Sequence, residues 1–213
     1  MTITIFGSTS LVGKQLVKQA LAKDYSVTAF DRNIEHLIDM DLRNEKFEAI
    51  KGYVFDKNEV FNAVENSNAI VSCLGGSKDG TDKSRSLGMK NIIDAMQKAE
   101  VKRIVAISGI GILNFNNEKL AIDMENFPSE LKEVSFEHLA AYQHLKSTDL
   151  DWTLVCPSNI IDEDYSNNYE IKENYLPNPT IENVFAGDIA DFILEAIQEN
   201  LYINSRVGIS MKN

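Results

Sequence analysis

The chain has 213 residues, 44% of them apolar, which is enough to bury a sizeable core in one domain of ordinary to large size. Its 32 acidic residues against 21 basic give a formal net charge of −11 with no Lys/Arg cluster to offset it, so nucleic acid and anionic lipid are disfavoured as partners. No apolar run approaches the roughly 18 residues of a membrane span, and Cys73 and Cys156 sit in apolar stretches as expected of buried free thiols in a reducing compartment.

Thr2–Phe6 is a β-branched, apolar run that stops at Gly7. A second glycine follows at Gly13, and Leu16, Val17, Ala20 and Leu21 then recur at helical spacing. Strand, tight turn and helix in this order aim backbone N–H groups and the positive end of a helix at a phosphate. The dinucleotide fingerprint in this register would be Gly-x-x-Gly-x-x-Gly, and Ser10 stands in the middle position. Its Cβ would hinder close approach of a pyrophosphate, whereas its hydroxyl could donate to a phosphate oxygen. Thr2 enters the strand with no basic-then-apolar leader, so a cytoplasmic location is expected.

Tyr25–Phe30 reads as a second strand, ending in Asp31-Arg32-Asn33, and residues 33–47 as a short helix and loop. A third strand falls between Phe47 and Phe55. Asp56 then opens a helix as its N-cap, with Glu59 as capping-box partner and Val60, Phe61 and Val64 as its apolar face. Ala69–Leu74 is an almost unbroken apolar strand closed by Gly75-Gly76, the pattern of a strand covered on both faces. The polar loop Ser77–Lys83 leads to a helix over Ser84–Ala99, and Val101–Ile107 is a strand stopping at Ser108-Gly109. Ile110–Glu133 is less regular, with a helix start at Pro128-Ser129. A helix over Phe136–Ser147 precedes the strand Trp152–Cys156, which Pro157 should stop. A short strand at Tyr169–Lys172, a helix over Asp188–Glu199 and a strand at Arg206–Met211 complete the chain. This alternation predicts an α/β fold: a Rossmann-like, doubly wound, mostly parallel sheet with helices on both faces. One domain over residues 1–213 is expected, with 157–187 an inserted segment forming a substrate-side wall.

In this order the pieces resemble the atypical short-chain dehydrogenase/reductase group, the NmrA-like and flavin or biliverdin reductase-like NAD(P)-binding proteins. The resemblance is carried by Ile5–Gly13, Val27–Asn33 and Ile70–Gly75, then Asn91–Met96 with Val101–Ser108, and last Leu150–Pro157. It implies a dinucleotide cradle made of Gly7, Ser8, Thr9, Ser10, Leu11, Val12 and Gly13. It implies further cofactor contacts from Asp31, Arg32, Tyr53, Val54, Cys73, Leu74, Gly75, Ile107, Ser108, His138, Pro157 and Ser158, and it places catalysis among Ser108, His138 and Tyr142.

The same comparison exposes departures. Gly52-Tyr53 stands where the family often has Gly-Asp, so Tyr53 contacts the adenine or is simply a surface tyrosine. An acid at the end of the second strand favours NAD by binding the ribose diol, and an arginine there favours NADP. Asp31 and Arg32 supply both, and Arg32 tips the expectation towards NADP. Tyr142-x-x-x-Lys146 matches the Tyr-x-x-x-Lys pair of short-chain dehydrogenases literally. Counting back from Leu150-Asp151-Trp152-Thr153, however, puts the family's lysine at His138 and its tyrosine at Val134, so chance explains the match better. His138, Tyr142 and Lys146 nevertheless share one helical face.

Cys73 and Cys156 read as small apolar packing rather than thiolates. The three histidines (His36, His138, His144) and two cysteines have no metal-ligand spacing, and Asp188 and Asp191 sit at a helix start, where acids stabilise the dipole. The expected function is NAD(P)H-dependent hydride transfer to a flavin, quinone or similar small-molecule acceptor, by a monomer or homodimer. The alternatives are an NmrA-like dinucleotide sensor with little turnover and a scaffold that has lost the cofactor.

Overall fold

The computed structural model describes residues 1–38, 44–77, 79–177 and 183–212. The elements run β1 (Thr2–Phe6), α1 (Leu11–Ala22), β2 (Ser26–Asp31), α2 (Glu35–Ile38), β3 (Phe47–Lys51), α3 (Lys57–Val64), β4 (Ala69–Ser72), α4 (Met89–Lys98) and β5 (Arg103–Ile107). They continue through α5 (Lys132–Lys146), β6 (Asp151–Pro157), β7 (Asn159–Ile161), β8 (Tyr169–Glu173), β9 (Asn183–Phe185), α6 (Ala186–Gln198) and β10 (Ser205–Met211). Eight strands form one sheet in the order β3-β2-β1-β4-β5-β6-β10-β8, parallel throughout except for β8 against β10. β1 pairs with β2 on one side and β4 on the other, so the winding reverses between β1 and β4. The turns leaving those two strands diverge there and open a crevice at the carboxyl edge of the sheet.

Side chains alternate between the faces, as strand geometry requires. Ile3, Ile5, Val27, Val71, Val105 and Val207 pack with α1 and α6; Phe6, Phe30, Ile70, Ile104 and Leu154 pack with α3, α4 and α5. Each such burial contributes about 1.5–3 kcal/mol relative to exposure. Both faces being covered is why the strands read as nearly continuous apolar runs. A buried charge ties two elements of this core together. Arg103 donates to the carbonyl oxygens of Asp151, Ala196 and Leu201 and to Thr153 Oγ1, tying β5 to the end of α6. Burial brings its pKa down to about 10, still protonated at neutral pH.

Several boundaries differ from expectation for identifiable reasons. The helix expected from Ser84 begins as a π-helical turn, Ser84–Gly88, before becoming α4. α5 starts at Lys132, ahead of Phe136, because the 3₁₀ turn Ser129–Leu131 leads directly into it. α6 starts at Ala186, straight out of β9. Pro157 does not stop β6: it pairs with Ile209, while the next residue, Ser158, donates its N–H to Ile209 O. The proline's missing donor faces β5, which has already ended at Ile107.

Asp56 is the N-cap of α3, accepting from the N–H groups of Asn58 and Glu59. Glu59 does not complete a capping box; its carboxylate takes the Tyr53 N–H at 2.7 Å. The 157–187 segment supplies the edge strand β8 and the small parallel pair β7–β9, the latter missed because three-residue strands carry almost no periodic signal. Residues 178–182 of that segment, and 39–43 of the expected helix and loop before β3, lie outside the described residues. Among the described residues no helix is long and apolar enough to cross a membrane.

Candidate active site

The turn after β1 is built on close approach. Gly7 has φ +74°, and a Cβ there would lie 2.5 Å from Cys73 O, so only glycine lets the β1 turn pass the β4 turn. A Cβ on Gly13 would lie 2.3 Å from Gly7 O, which seats the first turn of α1 directly against the loop. Ser10 is the N-cap of α1: its hydroxyl donates to Gly7 O at 2.8 Å and accepts from the Gly13 N–H at 3.1 Å. Its proton is thereby committed inside the turn rather than offered to a ligand. Asp31 is likewise engaged, its carboxylate accepting from Thr9 N–H, Thr9 Oγ1 and Asn33 N–H.

Three adjoining cavities follow the carboxyl edge of the sheet. The first, of about 200 Å³, lies beyond β2 and is lined by Gly7, Thr9, Ser10, Asp31, Arg32, Val54, Cys73, Leu74 and Gly75, joined by Phe30, Gly52 and Ser84. The second shares Ser10, Cys73, Leu74 and Gly75 with it and adds Leu11, Val12, Ile107, Ser108, His138, Ile160 and Arg85. The third, of about 390 Å³, shares Arg85, Ser108, His138 and Ile160, and is closed by Gly109, Leu131, Val134, Ser135, Pro157, Ser158 and Asn159. The shared walls make these one crevice running from Arg32 to Ser158, with the β7 strand of the inserted segment over its far end.

Four predicted residues stand apart from it. Ser8 is fully buried behind the turn. Gly13 packs against the loop rather than lining the crevice. Tyr53 is 56% exposed and points away, its neighbours Gly52 and Val54 taking the wall instead. Tyr142 is corrected as a catalytic residue: it packs edge-on against Trp152 at 5.6 Å, under the Arg206 guanidinium, and lines none of the three cavities. By contrast, Val134 and His138, the positions reached by counting back from β6, both line the crevice.

The electrostatics are mostly neutral. The His138 ring rests on Gly109, and burial together with the Arg85 charge lowers its pKa to about 3. It is therefore a neutral imidazole at physiological pH. Burial raises the Cys73 thiol to about 12, and the Cys156 thiol likewise despite the nearby Arg206 charge, so neither is a thiolate. Ser108 Oγ lies beside the Cys156 thiol and has no nitrogen or oxygen partner, although the residue is only 5% exposed. Ser158 Oγ is likewise buried and unpartnered. Arg85 gave no signal in the sequence, since one arginine in a polar stretch has no pattern to mark it. Among the described residues no group of His, Cys, Asp and Glu could hold a metal ion, and the His36 side chain lies outside them.

A sheet that reverses at β1/β4, with a two-glycine turn at that point and a crevice along its carboxyl edge, defines a Rossmann-like nucleotide-binding protein. The chain belongs to the NAD(P)H-binding family whose model matches residues 7–200. Among solved structures it is similar to the oxidoreductase ylbE from Lactococcus lactis, at 25% identity and TM-score 0.82 over 100% of this chain and 92% of that one. It is also similar in fold to a candidate NADH-flavin reductase from Streptococcus pneumoniae, at 18% identity and TM-score 0.82 over the whole of both chains. Among curated proteins it matches the human sterol-4-alpha-carboxylate 3-dehydrogenase, decarboxylating, at 21% identity over 138 residues. That match takes in 62% of this chain but 35% of the length of the relative. The residues present fit a dinucleotide: Gly7 lines the crevice without a side chain, Gly75 opens onto empty space, and Ser108 holds a hydroxyl with no nitrogen or oxygen partner at the far end.

Proposed function

We propose that the protein is an NAD(P)H-dependent reductase, with NADPH preferred, that passes hydride to a small planar acceptor such as a flavin or quinone. The observation that carries this reading is the character of the crevice wall beside Ser108. Val134 stands where a short-chain dehydrogenase would carry its tyrosine, and His138, where it would carry its lysine, is held neutral. A ketone needs a proton delivered to its oxygen in the transition state. A flavin or quinone accepts hydride and can take the one proton that completes its reduction from solvent, so this wall suits the latter.

The bound nicotinamide would supply the hydride; the protein's share is positioning and exclusion of water. Leu11 and Val12, at the N-terminus of α1, offer backbone N–H groups to the pyrophosphate. Arg32 lines the first cavity with no hydrogen-bond or ion-pair partner among the described residues, which suits it to a ribose 2′-phosphate. His138 hydrogen-bonds the nicotinamide ribose, and Ser108 orients the carboxamide or an acceptor oxygen. The 157–187 segment covers the acceptor. We place the protein in the cytoplasm as a monomer or homodimer, with no nucleic-acid or membrane partner.

The test pairs thermal shifts with NAD, NADH, NADP and NADPH with oxidation of NADPH in the presence of flavin, quinone or dye. NADPH should give the largest shift and should be oxidised only when an acceptor is added. Binding without acceptor-dependent oxidation would leave a dinucleotide sensor; no shift with any of the four would leave a scaffold.

A further inference from the structure

The third cavity holds a feature that hydride transfer to a neutral acceptor does not use. Among the described residues Arg85 is the only charged one lining it, in a chain whose formal charge is −11. The side chain is half-buried on the π-helical turn Ser84–Gly88. Two guanidinium nitrogens donate to Gly76 O at 3.1 Å and Ser77 O at 3.2 Å, which fixes its direction and leaves other N–H groups unused. Among the described residues it makes no ion pair. Two carboxylates act on it from beyond ion-pair distance, Asp82 more strongly than Glu137. Asp82 accepts from the Ser84 N–H at 2.8 Å, and Glu137, 7% exposed, accepts from Lys83 Nζ at 2.6 Å and from the Ser86 hydroxyl. Glu137 thus holds the residues on either side of Arg85 while leaving the guanidinium free. Burial costs the charged form and lowers the Arg85 pKa.

A desolvated, oriented and unpaired guanidinium is costly unless an anion meets it. Ser108 lines the same cavity, its Oγ buried beside the Cys156 thiol without an oxygen or nitrogen partner. Arg85 lies on the wall shared by the second and third cavities, and a dinucleotide's pyrophosphate would have its own donors in the second, at the N-terminus of α1. Resting on the reductase reading for the placement of the acceptor, we infer that Arg85 is an anion-recognition residue for that acceptor. The acceptor would be a planar molecule bearing a phosphate, carboxylate or sulfonate arm.

Equilibrium binding to the full chain, saturated with NADP, tests this without turnover. Two matched pairs serve as probes: FMN against riboflavin, and 1,2-naphthoquinone-4-sulfonate against 1,2-naphthoquinone. The anionic member of at least one pair should bind about tenfold or more tightly than its neutral partner, the scale of a charge-assisted hydrogen bond. Arg85→Gln should remove that difference, and Arg85→Lys should restore part of it, with NADPH affinity changed less than about twofold. No preference in either pair overturns the inference, as does an Arg85→Gln variant that loses NADPH as strongly as the anionic probe, which would make Arg85 a cofactor ligand. A preference for the anionic member without acceptor-dependent NADPH oxidation would sink the reductase reading and leave the anion site standing. Oxidation with both members bound equally would do the reverse.

Discussion

Thr9 holds Asp31 by two hydrogen bonds, its N–H at 3.1 Å and its hydroxyl at 2.9 Å from the same carboxylate oxygen. An acid at the end of β2 would ordinarily be read as a ribose ligand favouring NAD. Here that carboxylate is a brace between the β2 end and the glycine turn, and Arg32 beside it is the group left open to the crevice. Arg32→Ala should therefore weaken NADPH binding about tenfold or more while leaving NADH within about twofold. Thr9→Val should remove the hydroxyl bond and leave that Asp31 oxygen held by the Thr9 N–H alone, freeing acceptor capacity on it and narrowing the NADPH preference from the other side. Titration of both variants with both cofactors measures this; an Arg32→Ala protein that loses NADH and NADPH equally would remove the basis for the NADP assignment.

Ser10 caps α1 through Gly13 N–H and Gly7 O, so its first role is the stability of the turn. Ser10→Ala should cost about 1 kcal/mol, and Ser10→Gly only a few tenths, because an N-cap glycine is nearly as good as serine. NADPH affinity in Ser10→Gly should be retained or improved, since the hydroxyl proton is not directed at a phosphate. Urea unfolding read together with cofactor titration separates the two roles. A large affinity loss with unchanged stability would show that the hydroxyl leaves the turn to bind phosphate.

Most of this fold was legible because its strands are buried on both faces. Runs such as Ile70-Val71 within Ala69–Leu74 and Ile104–Ile107 within Val101–Ile107 carry apolar residues at consecutive positions, the pattern of a sheet covered on both sides. The cradle was legible for a related reason: a Cβ at Gly7 or Gly13 would lie within 3 Å of backbone atoms, so only glycine fits there. What the sequence hid were side-chain choices among competing partners. Nothing local says that Asp31 turns to Thr9, that Ser10 turns into its own helix, or that Tyr142 leaves the crevice for Trp152. The literal Tyr-x-x-x-Lys match misled because it ignores distance from β6, whereas counting from β6 found Val134 and His138 on the wall. Arg85 was invisible because a π-helical turn has no recognised sequence period, and that turn is what aims it.

His138 has a consequence for acid stability. Its folded pKa, lowered to about 3 by burial and by Arg85, lies below its unfolded value near 6.5. The unfolded chain therefore binds a proton that the folded chain refuses, and stability rises with pH across that interval. Its contribution is fully present above about pH 6.5 and is lost as pH falls from there towards 3. His138→Gln should flatten the pH dependence of the unfolding free energy between pH 6 and 4 relative to the native chain. Turnover should show no His138 titration between pH 6 and 8, because the ring is already neutral throughout. Parallel slopes for the two proteins below pH 6 would mean that His138 protonates freely in the folded state.

Asp188 was read from the sequence as a helix-start acid that stabilises the α6 dipole, and the structure gives it a more specific task. It is fully buried, with Oδ1 accepting from the N–H groups of Ser166 and Asn167 and Oδ2 accepting from Ser166 Oγ. These bonds pin the stretch between β7 and β8 to α6, behind the strand that closes the third cavity. If the charge at the helix end were what mattered, Asp188→Asn and Asp188→Ala would each lose a similar ~0.5–1 kcal/mol. If acceptor geometry matters, Asn can keep both backbone bonds through its carbonyl, and the Ser166 hydroxyl can rotate to accept from the amide. Asp188→Asn should then cost less than about 1.5 kcal/mol, whereas Asp188→Ala should cost on the order of 3 kcal/mol by leaving buried donors unpaired. The alanine variant should also raise the acceptor KM, since the strand that precedes the pinned stretch lines the third cavity. Urea unfolding of both variants, followed by acceptor kinetics at saturating NADPH, decides the matter: equal losses would return Asp188 to a simple dipole partner.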